Sequence, residues 1–272
     1  MNINSLQRGS YTIRELMAVW ISRQIRDGEV VGGGGGTLAI ARAGQLLAHL
    51  HHGPNMRFLS LVSMNLHCCP SLSLSLFESV ADWRVSRWAE AYWIPSEIYD
   101  QLRLFRKRVL FISGIQIDKY GNVNLFGMGN DFRNLDFRGP GGLGAATGTT
   151  YAGRYYIFAA SHTPRVFVER CDYVTCVGWG EGGKEARRKL GLPGGGPVAC
   201  ITSLCIMDFD EETKRMRLKS VHPGVSISEV IENTGFRLMI PPNVEETEPP
   251  TIEELEILRT KVDPEGLLRG SD

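Results

Sequence analysis

The sequence lacks an excess of either charge. Its 30 lysines and arginines are matched by 30 aspartates and glutamates, so the formal net charge is zero. A neutral chain has no overall field to attract nucleic acid or an anionic membrane surface. We therefore expect neither nucleic acid nor membrane as a partner.

Long apolar runs and cysteines are also scarce. Residues 1–14 hold no apolar core of signal-peptide length, and no later run approaches the roughly 20 apolar residues of a membrane span. Six cysteines are too few for a disulfide scaffold in a chain of 272 residues. Four of them, at 171, 176, 200 and 205, lie in apolar, strand-like runs, where free cysteine behaves as a small hydrophobe. We expect a cytoplasmic protein with no metal site.

Helix and strand signals alternate along the chain. Thr12 and Glu15 form a capping-box pattern, which predicts a helix that ends at Gly28. The pattern then predicts a strand at 29–31, a helix at 38–51 and a buried strand at 56–62.

The second half of the chain continues this alternation. A strand is predicted at 109–117, a tight turn at 118–122 and a hairpin around 206–218. Short helices are predicted after the capping boxes at Ser226 and Thr251. This order predicts an α/β fold, an open and mainly parallel sheet with flanking helices. We expect a single domain over 1–272, in which 241–272 form a linker and a helix arm that packs on another subunit.

Glycine is abundant, with 31 residues, and it is clustered. A run at 32–36 between a strand and a helix either lets backbone N–H groups approach a ligand or makes a tightly packed turn. The segment at 139–148 consists almost entirely of small residues and can present N–H groups to a carbonyl oxygen, as an oxyanion hole requires. The cluster at 178–196 carries basic residues, including Arg187, and is interpreted as a solvated surface loop.

Several motifs occur in a fixed order from about residue 11 to 266. They are GIQIDKYGNVN at 114–124, GPGGLG at 139–144, CDYVT at 171–175, KLGLPG at 189–194, FDEETKRM at 209–216 and ENTGF at 232–236. In these segments the chain resembles the B-type subunit of class I CoA-transferases, especially glutaconate CoA-transferase.

The resemblance implies a CoA-transferase-like α/β fold and an A-type subunit as obligate partner, with the active site between the two. It implies an acyl-CoA thioester as substrate, so coenzyme A enters as part of the substrate and no separate cofactor is expected. In this family, glycine-rich backbone contacts the thioester and CoA. Carried over, that role falls on Gly34, Gly36, Gly114, Gln116, Gly139, Gly141, Gly142 and Gly144.

The family's catalytic glutamate is missing from this chain. The resemblance places Val62 at that position, and a shift by one residue places Ser63 there. Neither side chain is an acid that can form a glutamyl-CoA thioester. Relatives without the glutamate resemble transferases but act as steroid-ring-cleaving hydrolases or decarboxylases of CoA esters, and RVFVE at 165–169 and HPGV at 222–225 are shared with the hydrolases.

We therefore expect cleavage of a C–C bond, hydrolytic or decarboxylative, in which oxyanion donors stabilise an enolate. A true transferase whose acid comes from elsewhere, such as the partner chain, is the first alternative. A non-catalytic subunit that completes the partner's site is the second, and the intact segment at 139–144 argues against it. His222, before Pro223, is interpreted as a solvated turn residue.

Overall fold

The computed structural model describes residues 10–33, 39–59, 65–67, 91–92, 106–142 and 144–270. The chain divides into two compact units. The first consists of Met1–Gly33, Thr37–Val109 and Glu248–Asp272, and the second of Gly34–Gly36 and Leu110–Thr247. The expectation of one family domain over the whole chain stays a prediction.

The described residues form both helices and strands. The helices are α1 Ile13–Arg23, α2 Ala39–His51, α3 Ala145–Tyr151, α4 Ala186–Lys189, α5 Ile227–Glu232 and α6 Ile252–Ile257, which a π-turn, Leu258–Val262, continues. The strands are β1 Val30–Gly33, β2 Arg57–Leu59, β3 Asn65–His67, β4 Ala91–Tyr92, β5 Arg108–Ile112, β6 Gln116–Asp118, β7 Val123–Asn124, β8 Gly127–Met128, β9 Phe137–Arg138, β10 Arg154–Ala159, β11 Phe167–Val168, β12 Pro197–Thr202, β13 Cys205–Phe209, β14 Met216–Val221 and β15 Glu245–Glu246. None of the helices that the structure describes is long and apolar enough to cross a bilayer.

The first unit is built on a β–α–β motif. Helix α1 begins at the predicted capping box, in which the Glu15 amide donates to Thr12 Oγ1 at 3.1 Å and the Thr12 amide donates to Glu15 Oε2 at 2.8 Å. Strands β1 and β2 pair in parallel, and α2 connects them. Strands β3 and β4 extend the sheet by antiparallel pairing.

The C-terminal helix α6 belongs to this first unit. Glu254 on α6 accepts from Arg23 Nε at 2.8 Å and from Arg23 Nη2 at 2.7 Å, and Arg259 donates to Glu15 Oε1 at 2.7 Å. Glu15 and Glu254 are buried, so each carboxylate needs its guanidinium partner. Helix α6 therefore packs on α1 of its own chain, and packing of this arm on another subunit stays a prediction.

The second unit is built on a sheet in the order β15-β14-β13-β12-β10-β5. Strands β10 and β12 pair in parallel, as do β14 and β15, whereas β12, β13 and β14 pair antiparallel. The β13–β14 pair is the predicted hairpin, and Lys214 in its turn has a φ of 56°. A smaller sheet, β11-β6-β7, and the β8–β9 hairpin complete the unit's pairing.

One predicted strand is divided in two. The sequence favoured a continuous strand over 109–117, but β5 ends at Ile112 and β6 begins at Gln116 in a different sheet. Gly114 makes the crossing feasible, because a Cβ there would lie 2.3 Å from Val123 Cγ1. Apolar residues continue through both strands, so hydrophobicity alone did not mark the break. The α/β fold class itself is confirmed.

Candidate functional site

The glycine segment 139–144 leads from strand β9 into helix α3. Gly141 has a φ of +85° and Gly144, which precedes the helix, a φ of +80°. Side chains with a Cβ rarely adopt such angles, so glycine is required at both positions for this turn. The sequence thus forms a sharp strand-to-helix turn whose backbone comes close to the surface.

Two amides of this segment are already used by the chain. The Gly139 amide donates to the Phe126 carbonyl at 2.8 Å, and the Gly141 amide donates to the Leu125 carbonyl at 2.9 Å. These two N–H groups hold the turn and are not free to act as oxyanion donors. We expect bare N–H groups along the whole segment, and the fold corrects this because Leu125 and Phe126, which link β7 to β8, supply the acceptors.

The amides of Gly142 and Gly144 have no acceptor among the residues that the structure describes. A Cβ on Gly142 would lie 3.0 Å from Thr175 Cγ2 and within 4 Å of no other atom, so its surroundings are open on the remaining sides. Of the segment's described amides, these two can therefore donate to a ligand carbonyl. The contact of all four glycines with substrate stays a prediction.

Gln116 on β6 holds the residues on which this turn rests, through Asn124 next to Leu125. Its Oε1 accepts from Asn124 Nδ2 at 2.7 Å and from the Asp172 amide at 3.0 Å. Its amide group donates no hydrogen bond to any described residue, so Nε2 is the part of the side chain that can reach a ligand. Gly114 packs against Val123 and allows the close approach of two strands, and its contact with substrate stays a prediction.

Asn124 is a positioning residue that the sequence did not single out. Its Nδ2 also donates to the Gly127 carbonyl at 2.6 Å, and its Oδ1 accepts from the Phe126 amide at 2.9 Å. Asn124 is fully buried, and these bonds fix the start of the β8–β9 hairpin that leads to the glycine segment. Thr175 assists, since its hydroxyl accepts from the Leu125 amide at 3.0 Å.

The tight turn predicted at 118–122 is present and buried. Asp118 accepts from the amides of Tyr120 and Asn122 at 2.9 and 3.1 Å and from Asn122 Nδ2 at 2.8 Å. Burial raises the pKa of the Asp118 carboxyl, and the Asn122 and Tyr120 hydrogen bonds oppose that rise. The carboxylate is saturated with donors, which indicates a structural role.

A cavity of about 490 Å³ opens next to this turn. Its lining consists of Asp118, Lys119, Tyr120, Asn122, Glu169, Arg170, Val174, Val177, Gly180, Glu181 and Leu190. None of the predicted site residues that the structure describes lines it. Its charged groups include both signs, so the lining does not by itself select an anionic ligand.

The glycine cluster at 178–196 is not a plain surface loop. Arg187 within it is 4% exposed, and its guanidinium donates to the carbonyl groups of Thr149, Thr150, Val177, Gly178 and Gly194 at 2.9 to 3.3 Å. Burial lowers the pKa of Arg187. The interpretation as a solvated loop is wrong for Arg187, because its fork of donors satisfies carbonyls at the C-terminal end of α3.

His222 is likewise buried, not solvated. It is 0% exposed, its Nε2 donates to the Thr202 carbonyl at 2.8 Å, and its Nδ1 lies 3.0 Å from Thr247 Oγ1. A proline and glycine next to it suggested a surface turn, but the turn packs under the C-terminal linker.

The four described cysteines are free and buried, as the apolar runs predicted. Burial raises the pKa of Cys176 to about 11 and that of Cys205 to about 12, so neither thiol ionises near neutral pH. The predicted site residues Val62, Ser63, Gly34 and Gly36 lie outside the described residues.

Comparison with known proteins places this geometry in context. The family model "Coenzyme A transferase" matches residues 14–233. The B-type chain of glutaconate CoA-transferase from Acidaminococcus fermentans is 36% identical, and the match covers 94% of this chain and 94% of that protein. The B-type chain of 3-oxoadipate CoA-transferase from Pseudomonas knackmussii is 34% identical, with 92% and 93% covered.

A third relative carries a different activity in its name. The cholesterol ring-cleaving hydrolase IpdB subunit of Mycobacterium tuberculosis is 29% identical over 64% of this chain and 68% of that protein. Among solved structures, glutaconate coenzyme A-transferase from A. fermentans superposes with a TM-score of 0.85 at 32% identity, covering 97% of this chain and 99% of that one. The decarboxylase AibA/AibB shares the fold, with a TM-score of 0.79 at 22% identity and coverage of 94% and 97%.

Proposed function

Because this chain belongs to the coenzyme A transferase family and matches its B-type subunits over nearly its whole length, we propose that it acts with an A-type subunit on an acyl-CoA thioester and breaks a C–C bond. The thioester stays intact during this reaction. The observation that carries the proposal is Val62 at the position of the family's glutamate, in a chain that keeps the glycine segment.

The proposed chemistry uses donors but no nucleophile on this chain. The electron pair of the breaking C–C bond moves toward the thioester carbonyl and forms an enolate oxygen. Donors that point at an oxygen where charge develops stabilise such a state, and the amides of Gly142 and Gly144 are the ones with no acceptor among the described residues. The enolate is then protonated at carbon. In the decarboxylative case the other fragment leaves as carbon dioxide. In the hydrolytic case water first adds to the carbonyl carbon of the other fragment, and when the C–C bond breaks that fragment leaves as a carboxylic acid.

Val62 supports this reaction because its side chain carries no carboxylate. A carboxylate at this position attacks the thioester and carries the CoA to a second acid. An isopropyl group cannot accept CoA, and an apolar side chain keeps water away from the carbonyl, which strengthens the hydrogen bonds to the enolate oxygen.

A true CoA-transferase is the second candidate. The two relatives named as transferase subunits are more similar to this chain, at 36% and 34% identity, than the hydrolase subunit at 29%. In that case the acid that carries CoA must lie on the partner subunit.

Covalent trapping separates the two candidates. The chain is co-purified with its A-type partner, incubated with acyl-CoA, treated with borohydride, and both subunits are weighed by mass spectrometry. We expect neither subunit to change in mass. A Val62→Glu variant serves as positive control for the position, because its carboxylate can be trapped. A CoA-dependent mass change on either wild-type subunit would contradict the proposal and support the transferase.

A further inference from the structure

The open edge of the sheet in the second unit has a basic end and an acidic end. Strand β15 is the last strand in the sheet order, and Met239 extends this edge by pairing with β14. Arg237 lies beside Arg215, since its carbonyl accepts from Arg215 Nη2 at 2.7 Å. At the other end of the edge, Glu246 pairs with Val221. The edge therefore carries positive charge where β14 begins and negative charge where β14 ends. We call it the charged edge, and it consists of Arg215, Arg237, Met239, Ile240 and Glu246.

The two opposite charges lie on one face of the sheet. Side chains alternate between the faces along a strand, and Val221 stands six residues after Arg215. Their neighbours on the edge, Glu246 and Arg237, therefore point to the same face, whereas Glu245, one residue earlier, points to the opposite face. At about 3.3 Å per residue, the two charges are roughly 20 Å apart along the edge.

Neither charged end is neutralised within the chain. The side chains of Arg237 and Glu246 form no ion pair and no hydrogen bond with any residue that the structure describes. Arg215 has no carboxylate partner in that part of the chain either, since its Nη2 is bound to a carbonyl and its Nε is buried without a partner. Both ends are therefore available to opposite charges of another molecule.

Apolar side chains are exposed between the two ends. Ile240 directly follows Met239 and is 39% exposed, and Ile231 on α5 is 50% exposed. Both isoleucines line a groove of about 610 Å³, which Arg215 and Arg237 also line. Exposed aliphatic surface bordered by charged groups is typical of a protein–protein contact.

The charged edge is complementary to a second copy of itself. In two copies related by a twofold axis near Ile240, Arg237 of each copy faces Glu246 of the other, and the exposed isoleucines cover each other. Pro241 and Pro242 lack an N–H group, so side chains make this contact rather than a continued β-sheet. We propose that the charged edge joins two copies of this chain, so that its complex with the A-type subunit contains this chain twice. The contact does not depend on the chemistry of the proposed function.

Charge exchange tests this interface. Sedimentation velocity over a range of concentrations gives the number of copies of this chain in its complex with the A-type subunit, for the wild type, Arg237→Glu, Glu246→Arg and the variant with both changes. Ile240→Glu tests the apolar centre. Glu245→Arg is the matched control, because Glu245 is also exposed and lies on the same strand but points to the opposite face. Circular dichroism confirms that each variant is folded.

We expect two copies of the chain in the wild-type complex. Each single charge reversal should weaken their pairing about a hundredfold, because like charges then face each other twice. Ile240→Glu should weaken it to a similar extent, since it places an acid beside its own copy. The variant with both changes restores opposite charges and should recover most of the affinity, while the control should stay within about threefold of the wild type.

Three results would contradict the proposal. They are a single copy of the chain in the wild-type complex at every concentration, single variants that pair as tightly as the wild type, and a variant with both changes that recovers no affinity. Loss of the A-type subunit from the single variants also overturns the proposal, and assigns this edge to the A-type subunit instead.

Discussion

At the scale of single residues, two glycines of the same segment, Gly139 and Gly142, differ in how tightly their surroundings pack. A Cβ at Gly139 would lie 2.4 Å from the Leu125 carbonyl oxygen, which is backbone and cannot move aside, whereas a Cβ at Gly142 would meet only a threonine methyl at 3.0 Å. We expect Gly139→Ala to destabilise the chain by about 1–3 kcal/mol, and Gly142→Ala, the matched control, by clearly less. Thermal melting checks this, and equal melting temperatures would contradict the packing described here.

Arg187 gives a second prediction at this scale. Arg187→Met should cost about 3 kcal/mol, because its five carbonyl acceptors are left without a donor in a buried place. Arg188→Gln, one residue along, should change stability by less than about 0.5 kcal/mol, since its ion pair with Glu185 is exposed. Urea unfolding of both variants measures the difference. An unfolding midpoint for Arg187→Met equal to that of wild type would show that water replaces the guanidinium.

The same residues separate the features that can be predicted from sequence from those that cannot. The turn at 118–122 and the glycine segment could be predicted, because they depend on residues close in sequence. The use of the Gly139 and Gly141 amides could not, since their acceptors, Phe126 and Leu125, lie more than ten residues earlier, in the link between β7 and β8. Arg187 is equally hidden, because a basic residue in a glycine-rich stretch is normally solvated.

At the scale of elements, capping boxes gave reliable helix starts. Thr12, Ser226 and Thr251 each begin the helix that the sequence predicted, because the cap satisfies amides within the same turn. The prediction of one strand over 109–117 is wrong, since the division between β5 and β6 depends on the packing of Gly114 against Val123 on β7.

Docking of α6 can be tested through its buried carboxylate. Burial opposes ionisation of Glu254, but the hydrogen bonds from Arg23 and Thr251 outweigh it and lower its pKa. Glu254→Gln should cost about 2 kcal/mol, because charge-assisted hydrogen bonds become neutral ones. Glu253→Gln is the control, since Glu253 is exposed and lies 3.8 Å from His51. Similar melting temperatures for the two variants would mean that the Arg23 pair does not hold α6.

At the scale of the whole molecule, buried histidines link stability to pH, and two of them, His162 and His222, share the partner Thr202. His162 lies between Thr202 Oγ1 at 2.8 Å and Thr234 Oγ1 at 3.0 Å, and His222 lies beside the same Thr202. The pKa of each is lowered from 6.5 to about 4, mainly by burial, and the proximity of His222 contributes to the lowering for His162. Both rings are therefore neutral in the folded chain at neutral pH.

The stabilising contribution of each histidine is complete above pH 6.5 and is lost as the pH falls from 6.5 toward 4, because the unfolded chain takes up the proton first. Between pH 7.5 and 5 we expect a loss on the order of 2 kcal/mol for each ring. His222→Gln should remove the contribution of one ring, on the order of 2 kcal/mol over this range, from the pH dependence. Urea unfolding across this range is the measurement, and a flat profile in the wild type would contradict the buried neutral pair.

In the proposed function the complex breaks a C–C bond and does not transfer CoA from one carboxylic acid to another. Isotope exchange tests it most directly: the unmutated complex is incubated with acyl-CoA and the labelled free acid, and label in the acyl-CoA is measured over time. Exchange requires a carboxylate that carries CoA, and Val62 provides none. We expect no exchange above background, while acyl-CoA is consumed with its thioester intact. Exchange at the rate of turnover would contradict it and make the enzyme a transferase.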